Sequence, residues 1–145
     1  MIRSPFLLGC LLAILAFTFV PIKHIDPSLK EMFERDYFTM VNECDKIELP
    51  IQFILKPDDI KDKGWVGVTT ISGNRVIIRI DKTYMKQNSQ DAIEVTLLHE
   101  MAHGFLGMDH NKDPGNYMYY SETGVPLVKA MEQFKHDVRE KCNEL

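Results

Sequence analysis

Apolar and polar residues follow helical spacing at the two ends of this chain and β-type runs in its middle. Leu29, Met32, Phe33, Tyr37, Met40, Val41 and Cys44 recur every three or four residues, which predicts an amphipathic helix from Pro27 to about Asp45. Asp26 before Pro27 is a suitable start, an N-cap followed by proline at the first helical position. Ile51–Leu55 is a short β-type run, and Lys56–Gly64 reads as a loop. Trp65–Ser72 and Arg75–Asp81 are rich in Val, Ile and Thr, and Gly73-Asn74 between them marks a tight hairpin. Tyr84–Gln90 reads as polar connection. A long helix is expected from Ser89 or Asp91, with Asp91 and Glu94 resembling a capping pair. Ile93, Leu97, Met101 and Phe105 form one stripe of that helix, and Gly107 is a natural stop. The chain is loop-like from His110 to Gly124, and a last amphipathic helix follows over Pro126–Asn143. Met32, Met40, Met101 and Met131 fall on core positions. The expected fold is α+β: a small twisted sheet packed on one long helix, flanked by an N-terminal and a C-terminal helix.

The first residues break this rhythm. Phe6–Val20 is apolar apart from Thr18 and follows a short start that carries Arg3. That is the layout of a secretory signal, and residues 1–22 read as a signal peptide or signal anchor ahead of one domain over 23–145. The apolar run is short for a membrane span, and no small-residue cleavage site follows it. A secreted or periplasmic domain is expected, with residues 6–22 as its only candidate membrane anchor. Leu7-Leu8-Gly9-Cys10 resembles a lipoprotein box, but most of the apolar run follows Cys10, so Cys10 reads as an ordinary leader residue. Cys44 and Cys142 lie in the first and last predicted helices, and export would allow them to bridge.

The 145 residues carry a formal net charge of −4 with both signs interspersed. No basic stripe is present, so a nucleic-acid partner is not expected. A monomer is expected.

The chemistry concentrates in His99-Glu100-Met101-Ala102-His103. Two histidines four apart on a helix project from one face, as two neighbouring ligands of a tetrahedral ion must. His99 lies about 200° around the helix from Leu97, so the histidines should face away from the stripe that packs on the sheet. Gly107 can turn the chain back, and His110 then supplies a third ligand, leaving one position of Zn2+ open for water. Glu100 is placed to take the proton of that water.

This segment resembles the metzincin clan of zinc endopeptidases, whose pattern is H-E-x-x-H-x-x-G-x-x-H followed by a Met-turn. The tail, His110-Asn-Lys-Asp-Pro-Gly-Asn-Tyr-Met118-Tyr119, is similar to the matrixin branch. The resemblance implies a zinc endopeptidase acting on a protein or peptide, with Met118 as an apolar floor below the metal. One departure stands out: Gly107 comes four residues after His103 and His110 seven after, one more than the clan pattern. Small exported bacterial metzincin-like proteins are similar in this longer spacing. Asp109 occupies the strict register and is the alternative third ligand; His110 is preferred because Gly107 and Met118 shift with it. By resemblance to the astacin and serralysin branches, Tyr120 is a candidate oxyanion donor, its alternative being a packed or surface tyrosine. The Trp65–Ile71 strand would be the edge of the cleft. Other readings stay open: a gluzincin-like site with Glu122 or Glu132 as ligand, a catalytically silent zinc scaffold, or a membrane-tethered module without metal. His24 and His136 have no partners at ligand spacing.

Overall fold

The computed structural model describes residues 22–120 and 124–145. Its fold is α+β, with one four-stranded sheet and helices packed against it. In chain order come β1 (Ile22–Ile25), α1 (Pro27–Glu43), β2 (Gln52–Asp58), β3 (Gly67–Ser72), β4 (Arg75–Asp81), α2 (Lys82–Gln87), α3 (Gln90–Met101) and α4 (Leu127–Glu144). The sheet order is β1-β2-β4-β3. β1, β2 and β4 are parallel neighbours, and β3 pairs antiparallel with β4 at the outer edge. The leader and the lipoprotein-like box lie almost wholly outside the described residues. Ile22, assigned to the leader, already pairs with Gln52 in β1. Among the described residues no helix is long and apolar enough to cross a membrane.

The termini of the elements follow from local chemistry. Asp26 caps α1 by accepting from the Ser28 N–H. The hairpin closes on two residues, with Gly73 at φ +57°, a value costly for any side chain with a Cβ. Three expectations are corrected. β2 runs on through Pro57 to Asp58, because β1 ends at Ile25, opposite Leu55, and leaves one edge of β2 free where proline lacks its N–H. Most of the expected polar connection is helix α2, because the Asp81 side chain accepts from the Tyr84 N–H (2.8 Å) and caps it. Helix α3 is capped by Ser89, which accepts from the Ala92 N–H, and not by Asp91 with Glu94.

Helix α3 is also more deeply enclosed than a single stripe implies. Leu97, Leu98, Met101 and Ala102 are all fully buried. Phe105, in the turn that follows, packs with its ring tilted against Phe33 of α1 and Phe53 of β2. The row against β3 and β4 is Thr96, Glu100 and Gly104: a Cβ on Gly67 would come within 2.8 Å of Glu100 Oε1 and 2.9 Å of Thr96 Cγ2, and one on Gly104 within 3.0 Å of Val76. The β3–β4 side of the sheet therefore touches a polar and glycine row, while Phe105, at the end of the apolar stripe, reaches α1 and β2. The histidine face is the one left to the cleft.

Two further ties hold the helices together. Cys44, just past α1, is bonded to Cys142 of α4 across 98 residues. Arg35 of α1 makes an ion pair with the buried Glu94 of α3. Beside them Asp36 is fully buried, and no donor reaches its carboxylate oxygens. Burial, together with the neighbouring Glu94, pushes Asp36 up to about 9, so it stays protonated at neutral pH and can share its proton with Glu94.

Opening the disulfide releases a long loop into the unfolded ensemble, so Cys44→Ser with Cys142→Ser is expected to cost about 2–5 kcal/mol in chemical denaturation. The Asp36 carboxyl keeps its proton when folded and loses it above about pH 4 when unfolded. Its effect is therefore a stability that falls as pH rises from about 4 to about 9, by at most about 1.4 kcal/mol per pH unit. Asp36→Asn retains a donor towards Glu94, so its advantage over the wild type should widen from pH 5 to pH 8 in urea unfolding. A constant difference would mean that Asp36 is not buried as the acid.

Candidate metal centre

His99 comes from α3. His103 lies in the turn that continues it, Ala102–Leu106, which is π-helical. A π turn takes in one residue more than an α turn over nearly the same rise. It is followed by Gly107 in the left-handed region at φ +65°, whose N–H returns to the Ala102 carbonyl. The residue in excess of the clan spacing falls between His103 and His110, and the widened turn overlaps that interval.

The structure brings His99, His103 and His110 together, with one ligand nitrogen from each lying within 4.8 Å of the others. Asp109, exposed at the rim, is not part of this group. Glu132 is exposed on α4 and ion-paired with Lys135, and it too is outside the group. Glu122 lies outside the described residues. His24 is exposed on β1, and His136 is exposed on α4.

Each helical histidine is oriented by a carbonyl. His99 Nδ1 donates to the Tyr117 carbonyl at 2.8 Å, and His103 Nδ1 donates to the Met108 carbonyl at 2.6 Å. A carbonyl only accepts, so both Nδ1 atoms carry protons and both Nε2 atoms present lone pairs. Those two Nε2 atoms face each other at 3.0 Å. Burial pushes His99 down to about 4, so His99 does not relieve this opposition by taking a proton at neutral pH. Burial and the neighbouring His103 also lower His110. A cation between the lone pairs does relieve it. Tetrahedral Zn–N bonds of about 2.0–2.1 Å set ligand nitrogens roughly 3.3 Å apart, close to the spacing found. The donor set fits zinc.

Glu100 is buried against β3, and desolvation pushes it up to about 7. The Thr69 hydroxyl opposes this, lying 2.6 Å from Glu100 Oε2 and 2.9 Å from the Glu100 carbonyl oxygen. One proton serves one of these acceptors at a time. A carboxyl poised near neutrality beside an open cleft suits a group that takes and returns a proton.

The remaining site residues sit in the 108–120 loop. Met118 is fully buried, its carbonyl accepting from the Asn111 N–H at 2.7 Å. Tyr120 is exposed at the cleft, and its oxygen accepts from the Tyr119 hydroxyl at 3.2 Å. Tyr117 is buried, its hydroxyl donating to Asp137 at 2.8 Å, and burial beside that acid raises it. Gln133 of α4 clamps the same loop twice, accepting from the Tyr117 N–H (3.0 Å) and donating to the Gly115 carbonyl (3.1 Å). Thr69, Gln133 and Asp137 have no motif around them, and periodicity assigned α4 only to the core.

Gln133→Leu removes both loop bonds and keeps the helix. Outer partners of histidine ligands typically contribute 10–100-fold to metal affinity. A loss of about tenfold is expected in chelator competition, with an altered Co2+ absorption spectrum. Unchanged affinity and spectrum would show that the clamp does not reach His99.

Residues 58–116 match the model described as SprT-like family, a zinc metallopeptidase-like family. No curated protein and no solved structure matches the chain. The matched span runs from the end of β2 through His110 and stops before Met118, so it bears on the H-E-x-x-H helix and not on the segment around Met118. Over that span the chain is similar to the SprT-like family, and its three histidines are close enough together to bind a metal ion.

Proposed function

We propose that this protein is a zinc-dependent endopeptidase with His99, His103 and His110 as ligands and Glu100 as general base. The opposed Nε2 lone pairs, each fixed by a carbonyl behind it, carry the reading. When bound, zinc supplies a Lewis acid that polarises the scissile carbonyl and acidifies water. Glu100 takes a proton from the attacking water as its oxygen bonds to the carbonyl carbon. Glu100 then returns that proton to the peptide nitrogen as the C–N bond breaks. Thr69 holds the carboxyl against β3 in both steps. Tyr120, exposed at the cleft, would donate to the developing oxyanion.

Within the same proposal the likeness to matrixins makes Met118 the apolar floor of the site. Its burial, and the bond of its carbonyl to the residue after His110, support that role. β3 is the outer strand and lines the cleft, so an extended substrate can add to it as a further strand. We place the domain in an oxidising compartment, secreted or periplasmic. The Cys44–Cys142 bond supports that placement.

The full chain should bind one zinc and cleave casein. Glu100→Ala should keep the metal and lose at least about 100-fold in rate, in line with the usual worth of a general base. His110→Ala should lose metal. Zinc retained without cleavage in the wild type would identify a silent scaffold, and full zinc binding by His110→Ala would remove it from the ligand set.

A further inference from the structure

The cleft over the metal centre has a volume of about 1160 Å³ and a one-sided chemistry. Four of the seven large apolar side chains that stay exposed among the described residues line it: Trp65, Ile71, Tyr120 and Val128. The charged side chains among its described lining residues are Asp91, Glu100 and Asp109, with no lysine or arginine. Lys63 lies close by, but over the Trp65 ring at 5.4 Å and not in the lining.

The geometry orders these groups along one axis. Gly67 faces Thr96 and Glu100, and Thr69 faces Glu100 and Gly104, so β3 and α3 run in the same direction. Trp65 and Asp91 therefore lie towards one end of the cleft and Ile71 towards the other, with Asp109 next to His110 at the histidines. Asp91 stands eight residues before His99, or roughly 12 Å along a helix, the length of about four residues of extended chain.

We infer that the cleft selects an extended peptide with large apolar side chains beside the cut and a lysine or arginine about four residues away, over Asp91. It disfavours acidic peptides and nucleic acid, because nothing in its described lining pairs with anionic groups away from the metal. This inference rests on the peptidase reading for the cut itself, but its test is binding and needs no turnover.

Trp65, the single tryptophan of the chain, lines the cleft and reports its occupancy. The full-length, zinc-loaded Glu100→Gln protein is titrated at low salt with two decapeptides sharing a Leu/Phe centre. They differ only in Lys or Glu at the flanking position. A single-stranded oligo-dT serves as the polyanion. The Lys peptide should shift Trp65 emission and bind at least about fivefold more tightly than the Glu peptide, as expected for swapping an exposed attraction for a repulsion. The difference should shrink in 0.5 M salt. Oligo-dT should leave the emission unchanged. Asp91→Lys, with zinc content intact, should reverse the preference. Equal binding, tighter binding of the Glu peptide or oligo-dT, no response to either peptide, or a preference untouched by Asp91→Lys would each overturn the inference. Casein cleavage by the wild type is read separately, so a peptidase without this preference is distinguishable from a protein that is no peptidase.

Discussion

The arrangement of the site depends on one peptide unit and its neighbour. The Tyr117 carbonyl receives the His99 Nδ1 proton, and the Met118 carbonyl receives the N–H of Asn111, the residue after His110. Two successive carbonyls of one loop thus hold one helical histidine directly and the chain beside the third. Loops move more than the elements they connect, so this loop needs its own restraint. It has one from α4: Gln133 grips the backbone at Gly115 and Tyr117, Asp137 takes the buried Tyr117 hydroxyl, and Phe134 meets the Tyr117 ring edge-on. Helix α4 is in turn joined to the end of α1 by the Cys44–Cys142 bond. The last helix is therefore part of the histidine site although it contributes no ligand to it.

The π turn at Ala102–Leu106 answers a different constraint. Two helical histidines need their four-residue spacing, and the third must come back over them from outside the helix. The chain between second and third histidines is one residue longer here than the clan pattern. Widening the helix over part of that interval keeps Gly107 at the left-handed exit, where its N–H still closes on Ala102. A π turn has poorer bond geometry than an α turn and is usually found where function fixes the neighbouring residues. His103, inside the turn, meets that description, because its Nδ1 is bonded to Met108 just beyond the exit.

Much of this was readable from local rules. The Asp26-Pro27 cap, the Gly73-Asn74 hairpin and the Gly107 exit each depend on a few neighbouring residues, and each is found; the Cys44–Cys142 pair was readable instead as the even pair left outside the leader. Several of the misses depend on a partner distant in sequence, whereas α2 was missed although its Asp81 cap is local. Pro57 belongs to a strand because of where β1 stops. Glu94 looked like half of a capping box, but Arg35, 59 residues away, takes it. The stripe on α3 was real in spacing, yet the helix is enclosed from several directions, so periodicity could not say which row meets the sheet. At the metal centre the histidines were legible because helix geometry links them. Thr69 and Gln133 were not, because nothing local marks a threonine on a strand or a glutamine on a helix as the partner of a site.

Helix α3 buries two carboxylates six residues apart, and their treatment differs. Glu94 is bound by the Arg35 guanidinium and can accept the proton of Asp36, which is how an interior carboxylate is ordinarily offset. Glu100 is as deeply buried but has a single hydroxyl, and no side-chain cation among the described residues is bonded to it. Stability alone favours replacing such a group with an apolar one, since an uncompensated interior carboxylate is costly. The same helix shows that a buried glutamate can be paired, so the missing partner is specific to position 100. Glu100 is the one that adjoins the three histidines and lines the cleft. Its cost is offset if an ion held by the histidines lies nearby and if the carboxyl must gain and lose a proton near neutral pH. The uncompensated glutamate and the opposed histidine nitrogens both fit a site that could hold a cation.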